Sequence, residues 1–123
     1  MIRFSAEAVA AGAFEDVNTF LVTFADTPDG SAAVLTAQIA LDGQFSDHDR
    51  ELGQDTHCIV FGDGACAYGC VESWRVIDDR VQIMLDADGR EVFQTDGFEV
   101  RIDPTAASTV RAGLERVLGT QGR

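Results

Sequence analysis

Apolar and polar residues alternate with a period of two along most of the chain, the spacing of strands with one buried face. Residues 2–9 read as a first strand. Residues 18–25 read as a second, with Phe20, Val22 and Phe24 on one face and Leu21 and Thr23 on the other. Asp26-Thr27-Pro28-Asp29-Gly30 is a turn, because Pro fixes φ and Gly accepts a positive φ. It leads into a strand over 33–41, with Leu35, Ile39 and Leu41 inward and Thr36 and Gln38 outward. The pattern stops at 42–54, a polar, acidic stretch expected to be a loop. It resumes in the short apolar run 57–61, which predicts a strand buried on both faces. After the Gly62-Asp63-Gly64 turn, a strand is expected over 67–77, with a bulge or close backbone approach at Gly69. Asp78-Asp79 turns the chain into 81–85, where Val81, Ile83 and Leu85 alternate with Gln82 and Met84. In the last strand Phe98, Val100 and Ile102 alternate with Glu99 and Arg101.

The period then changes. Asp103 is a good N-cap and Pro104 suits the first helical position. Ala107, Val110, Leu114, Val117 and Leu118 recur every three or four residues, which makes one apolar stripe. Gly119 is a natural stop. A single amphipathic helix has to bury its stripe on the sheet. The expected fold is therefore α+β: a mainly antiparallel sheet with a C-terminal helix packed on one face, forming one domain over residues 1–123.

Charge narrows the choice of partners. Of the chain's 123 residues, 21 are acidic and nine basic, for a formal net charge of −12. All nine basic residues are Arg, and with the abundant Ala, Gly and Asp this is the composition of a GC-rich bacterial genome. The excess is uneven: residues 13–63 hold ten acids against Arg50 alone. Such a chain is expected to repel phosphate backbones and anionic membranes, and to attract a basic protein. No apolar run is long enough to span a membrane and the first residues lack a signal-peptide core, so a cytoplasmic location is expected. Three cysteines, an odd number, agree with that.

Candidate chemistry is sparse. Cys58, Cys66 and Cys70 with His57 form the one grouping that could serve a thiol-dependent enzyme or hold a metal. Against it, no nucleophile motif surrounds them, and adjacent His57 and Cys58 point to opposite faces of a strand. Asp47-His48-Asp49 reads as a solvated loop. Asp86-Ala87-Asp88-Gly89 reads as a turn, because it lacks the later ligands of a calcium loop. Trp74 is expected in the core. No catalytic residue, metal site or cofactor is assigned. A homo-oligomer, such as a homodimer joined at a strand edge or at the open sheet face, is a third reading.

One stretch carries a resemblance. The acidic entry Asp47-His48-Asp49-Arg50-Glu51-Leu52-Gly53 is followed by Asp55-Thr56-His57-Cys58-Ile59-Val60, then Ala67-Tyr68-Gly69-Cys70-Val71, then Ser73-Trp74-Arg75. This order resembles the immunity protein 10 family of bacterial polymorphic toxin systems. His57 stands where that family commonly has an aromatic residue, and Cys70 replaces the second of two glycines. The resemblance runs from about residue 40 to 118. It implies an α+β protein without catalytic residues that binds and neutralises a toxin domain. Together with the charge asymmetry, it makes Asp42, Asp47, Asp49, Glu51 and Asp55 the expected partner-binding residues, facing a basic toxin.

Overall fold

The computed structural model describes residues 1–27, 33–40, 56–62 and 64–119. Nine strands in these residues form two sheets. β1 (Ile2–Ser5), β7 (Val71–Ile77), β8 (Arg80–Leu85) and β9 (Gly97–Arg101) make the first, in the order β1-β9-β8-β7. β2 (Ala8–Phe14), β3 (Thr19–Ala25), β4 (Val34–Ala40), β5 (Cys58–Phe61) and β6 (Ala65–Tyr68) make the second, in chain order. All neighbours are antiparallel except β1, which runs parallel to β9. The α+β class, the antiparallel majority and the C-terminal helix are thus as expected.

The alternation works as read at most of the described positions. Phe20 and Ile39, however, are only partly buried, as are Val60 and Phe61 in the run expected to be buried on both faces. Leu41 and the Pro28-Asp29-Gly30 part of the expected turn lie outside the described residues. Val22 and Phe24 are fully buried, as are Leu35, Val81, Ile83, Leu85, Phe98 and Val100. Residues from both sheets meet in one continuous core, where the Phe61 ring lies 5.0 Å from that of Phe98 and 6.3 Å from that of Phe4. Trp74 is buried in this core, and its indole N–H donates to the Gly119 carbonyl at 3.1 Å. That bond pins the end of the C-terminal helix to β7.

Two expected strands are each divided between the sheets. Residues 2–9 split into β1 and β2, and residues 67–77 into β6 and β7. At the first corner the Ala6 N–H still donates to Arg101 of the first sheet, while the Glu7 N–H already donates to Ala25 of the second. At the other, Gly69 N–H donates to the His57 carbonyl on the β5 side, and Cys70 offers its carbonyl to Asp86 N–H beyond β8. The hydrogen bonding passes from sheet to sheet within two residues, so the polar pattern shows no gap. Gly69 sits at φ 61°, the left-handed region, and makes this corner rather than a bulge; the close approach that was the other expectation is present, since a Cβ there would stand 3.0 Å from Thr56 Cγ2.

A second difference is a short helix, α1 (Ala87–Phe93), where a turn was expected. The Asp86 carboxylate caps it by accepting from Gly89 N–H at 2.9 Å. Phe93 then packs edge-on against Phe98, with centroids 5.5 Å apart.

The C-terminal helix, α2 (Ala107–Leu118), follows a 3-10 turn over Pro104–Ala106. Asp103 caps that turn through both the N–H and the hydroxyl of Thr105. The helix touches β2, β3 and β4 on one side and β7 on the other, so it bridges the two sheets. Val110, Leu114 and Val117 are buried, each worth about 1.5–3 kcal/mol. Arg111 donates to the Val76 carbonyl, and the Arg116 guanidinium lies 4.4 Å from the centre of the Phe20 ring.

Gly113 is where the helix comes nearest to the second sheet. A Cβ there would stand 2.7 Å from Val22 Cγ2 and 3.4 Å from the Ala11 Cβ. Replacing Gly by Ala within a helix normally gains about 1 kcal/mol. Here Val22 is fully buried and branched at Cβ, so it cannot swing away. Gly113→Ala should therefore lower stability by about 1–3 kcal/mol in urea unfolding. A gain in the urea midpoint would show that the helix does not seat this closely.

Candidate partner-binding face

The expected partner residues Asp42, Asp47, Asp49, Glu51 and Asp55 lie outside the described residues, as does His48. The register shows where the segment 41–55 is attached. It joins β4 to β5, which are neighbouring antiparallel strands with Gln38 opposite Cys58. Both attachment points are therefore at one end of the second sheet.

The same end gathers residues from elsewhere in the chain. Phe14 stands opposite Thr19, and Thr19 opposite Ala40, which places the turn after β2 beside the end of β4. That turn carries exposed Glu15 and Asp16 next to Phe14, a large apolar side chain 49% exposed. On the other side, Tyr68 pairs with Cys58 at the end of β6 and is 41% exposed. Two aromatic rings and two carboxylates thus flank the points where the acidic segment leaves and returns. Exposed aromatic side chains are enriched at protein interfaces, where a polar rim surrounds them. Sequence reading left out Phe14, Glu15, Asp16 and Tyr68 as site residues. Tyr68 was visible in the family motif, but only strand register brings the four to one end.

The cysteine and histidine grouping is built differently from a reactive site. His57 lies at the corner where β6 passes to β7. Its Nε2 accepts from the Val71 N–H at 3.3 Å, and its Nδ1 is 3.4 Å from the Thr56 hydroxyl. An Nε2 that accepts carries no proton, so the ring is neutral with its hydrogen on Nδ1. Burial lowers the His57 pKa from 6.5, against an opposing pull from Asp86. Cys58 and Cys70 are buried and Cys66 is exposed. Burial, reinforced by Cys66, pushes the Cys58 thiol up to about 11. Burial, reinforced by Asp86, pushes Cys70 up to about 12. Thiols held in the protonated form are poor nucleophiles and poor metal ligands at neutral pH. Among the described residues, no three His, Cys, Asp or Glu side chains are placed to share a metal ion.

The domain is a small α+β fold in which His57 and the two buried thiols help to hold the corner together. The chain belongs to the immunity protein 10 family, whose model matches residues 5–110. It is therefore an immunity protein, and its counterpart is a toxin. The match takes in β2, β3 and β4 as well as the stretch from residue 40 that carried the resemblance, and it ends within α2. No curated protein and no solved structure matches the chain.

Two outcomes follow from the corner. Unfolded chains take up the His57 proton near pH 6.5, and the folded chain only at lower pH. Stability should be indifferent to this group above pH 6.5 and fall as the pH drops below it. His57→Gln keeps an acceptor near Nε2 but cannot titrate, so it should flatten that limb of the urea midpoint against pH. An unchanged slope would remove His57 as its source. Separately, a thiol reagent at pH 8 should modify Cys66 rapidly in the folded protein. Cys58 and Cys70 should react only after denaturant is added. Fast modification of either would contradict the buried thiols.

Proposed function

We propose that this immunity protein works by binding and neutralising a cognate toxin domain in the bacterial cytoplasm, with no catalysis of its own. The family match over residues 5–110 carries the reading. Charge supports a basic partner. A toxin that degrades nucleic acid has to present positive charge to phosphates. An acidic face would draw it in quickly and compete for the same surface.

In this reading the partner face comprises the acidic segment with Asp42, Asp47, Asp49, Glu51 and Asp55. Glu15 and Asp16 extend its charge, and Phe14 and Tyr68 supply apolar anchors. Charged rim groups act mainly on association rate, whereas buried aromatic anchors act on dissociation rate. The two sets therefore separate kinetically.

The reading expects a toxin gene next to the one for this chain, and the test uses the toxin domain which that gene encodes. The triple variant Asp47→Asn, Asp49→Asn, Glu51→Gln should slow association by about tenfold at low salt and flatten its salt dependence. Tyr68→Ala should instead speed dissociation. An unchanged association rate and salt slope in the triple variant would sink the acidic face. Absence of any complex with that toxin domain would sink the binding function itself.

A further inference from the structure

The outer face of the first sheet runs against the charge of the rest of the molecule. Four of the nine arginines of a chain with net charge −12 project from it: Arg3, Arg75, Arg80 and Arg101. Register sets them in two rows across the strands. In one, Arg75, Gln82, Glu99 and Arg3 stand side by side and are linked end to end. Arg75 Nε donates to Gln82 at 2.7 Å, Gln82 donates to Glu99 at 2.9 Å, and Arg3 Nε donates to Glu99 at 3.2 Å. In the next row Arg80 stands directly opposite Arg101, and Arg101 opposite Ser5.

Like charges placed directly opposite on neighbouring strands oppose folding. Asp79 moderates this pair from the turn, 3.3 Å from Arg101 Nε and 4.0 Å from Arg80 Nε. Both carboxylates near these cations are thus already engaged. The field of the cations is evident at Glu99, whose pKa is lowered by the bond from Gln82 and then by the charges of Arg3 and Arg80.

Between the rows lies an open cleft of about 320 Å³, lined by Arg3, Phe4, Ser5, Arg80, Glu99 and Arg101. That is at the low end of small-ligand sites, room for one charged group and part of what carries it. The side chains of Arg3, Arg80 and Arg101 remain 69%, 54% and 60% exposed. Their contacts here run through Nε, and each guanidinium has four further N–H donors in a fork that matches oxyanions.

We infer that this cleft is an oxyanion site: Arg3, Arg80 and Arg101 receive a carboxylate or a phosphate group, with the Ser5 hydroxyl at its edge. An anion there joins the two opposed guanidinium groups, which Asp79 reaches only from the turn. Three cations against Glu99 and Asp79 leave the cleft positive. The acidity of the remaining molecule keeps anions from binding elsewhere, so occupancy should be local. The inference does not rest on the toxin-binding reading, and small anions test it without any toxin.

The experiment follows the arginine Nε–H resonances of the ¹⁵N-labelled protein during two titrations at constant ionic strength. One uses inorganic phosphate and the other an end-capped triglutamate peptide, with chloride as the balancing salt. Saturable shifts confined to Arg3, Arg80 and Arg101 are expected. Arg101→Gln should weaken binding by about fivefold or more, as should Arg3→Gln, which leaves the Asp79 clamp intact. Arg90→Gln, whose side chain pairs with Glu72 away from the cleft, should leave it unchanged. Tighter binding of the peptide assigns the site to carboxylates of a protein partner. Tighter binding of phosphate assigns it to a phosphorylated small molecule. Shifts that do not saturate, that chloride reproduces, or that Arg90→Gln reduces equally would overturn the site.

Discussion

Everything in this fold depends on one apolar core being enclosed by two sheets that the chain visits alternately. The chain leaves the first sheet after β1, builds the whole second sheet, and returns for β7, β8 and β9. Each crossing takes two residues, Ala6-Glu7 and Gly69-Cys70. At both, successive backbone groups bond to different sheets, which avoids the cost of stranding a buried amide. The sheets are thereby joined through the backbone as well as through the side chains of the core. α2 then fills the space between them, fastened by Trp74 to Gly119, by Arg111 to Val76 and by the close seat at Gly113.

These crossings are also where the sequence was hardest to read. Alternation identifies strands well where one face is buried, as in β3, β4, β8 and β9. It cannot show that a strand has changed sheets, because the backbone stays extended and the side chains keep alternating. Ala6-Glu7 has neither Gly nor Pro to mark it. Gly69 did stand out, but a left-handed glycine fits a bulge and a corner equally. At α1 the signal misled. Gly89 reads as a turn residue, yet it is buried in a helix because a Cβ would stand 3.0 Å from the Cys70 Cβ and 3.1 Å from that of Leu85. By contrast α2 was plain, since the Asp103 cap on the 3-10 turn that leads into it, its stripe and its stop at Gly119 are all local. The candidate face lies between these cases. Its acidic segment is evident from composition, whereas the gathering of Phe14, Glu15, Asp16 and Tyr68 depends on the pairing of distant strands.

The corner at Gly69 gives His57 and the cysteines a role that their chemistry alone did not suggest. A His and three Cys within fourteen residues invite a metal or a nucleophile. The geometry instead spends the His57 acceptor on the first amide of β7 and encloses two thiols among apolar groups. A neutral ring suits that role better than a charged one, because an imidazolium has two donors and no acceptor to offer Val71. The burial that encloses Cys58 and Cys70 also pushes their thiols toward the protonated form, so structure and chemistry lead to one reading of the corner.

The distribution of charge then separates two surfaces on a rigid frame. The acidic segment is inserted between β4 and β5, which are interior strands of the second sheet, so its ends are fixed by the core itself. Lengthening a connection between neighbouring strands costs little in closure entropy. The arginine face is tied down in the opposite way. Its side chains are spaced by strand register and linked to one another across four strands, so substituting one disturbs its neighbours. A cross-linked cationic surface on the same acidic domain suits an oxyanion met by several guanidinium groups at once.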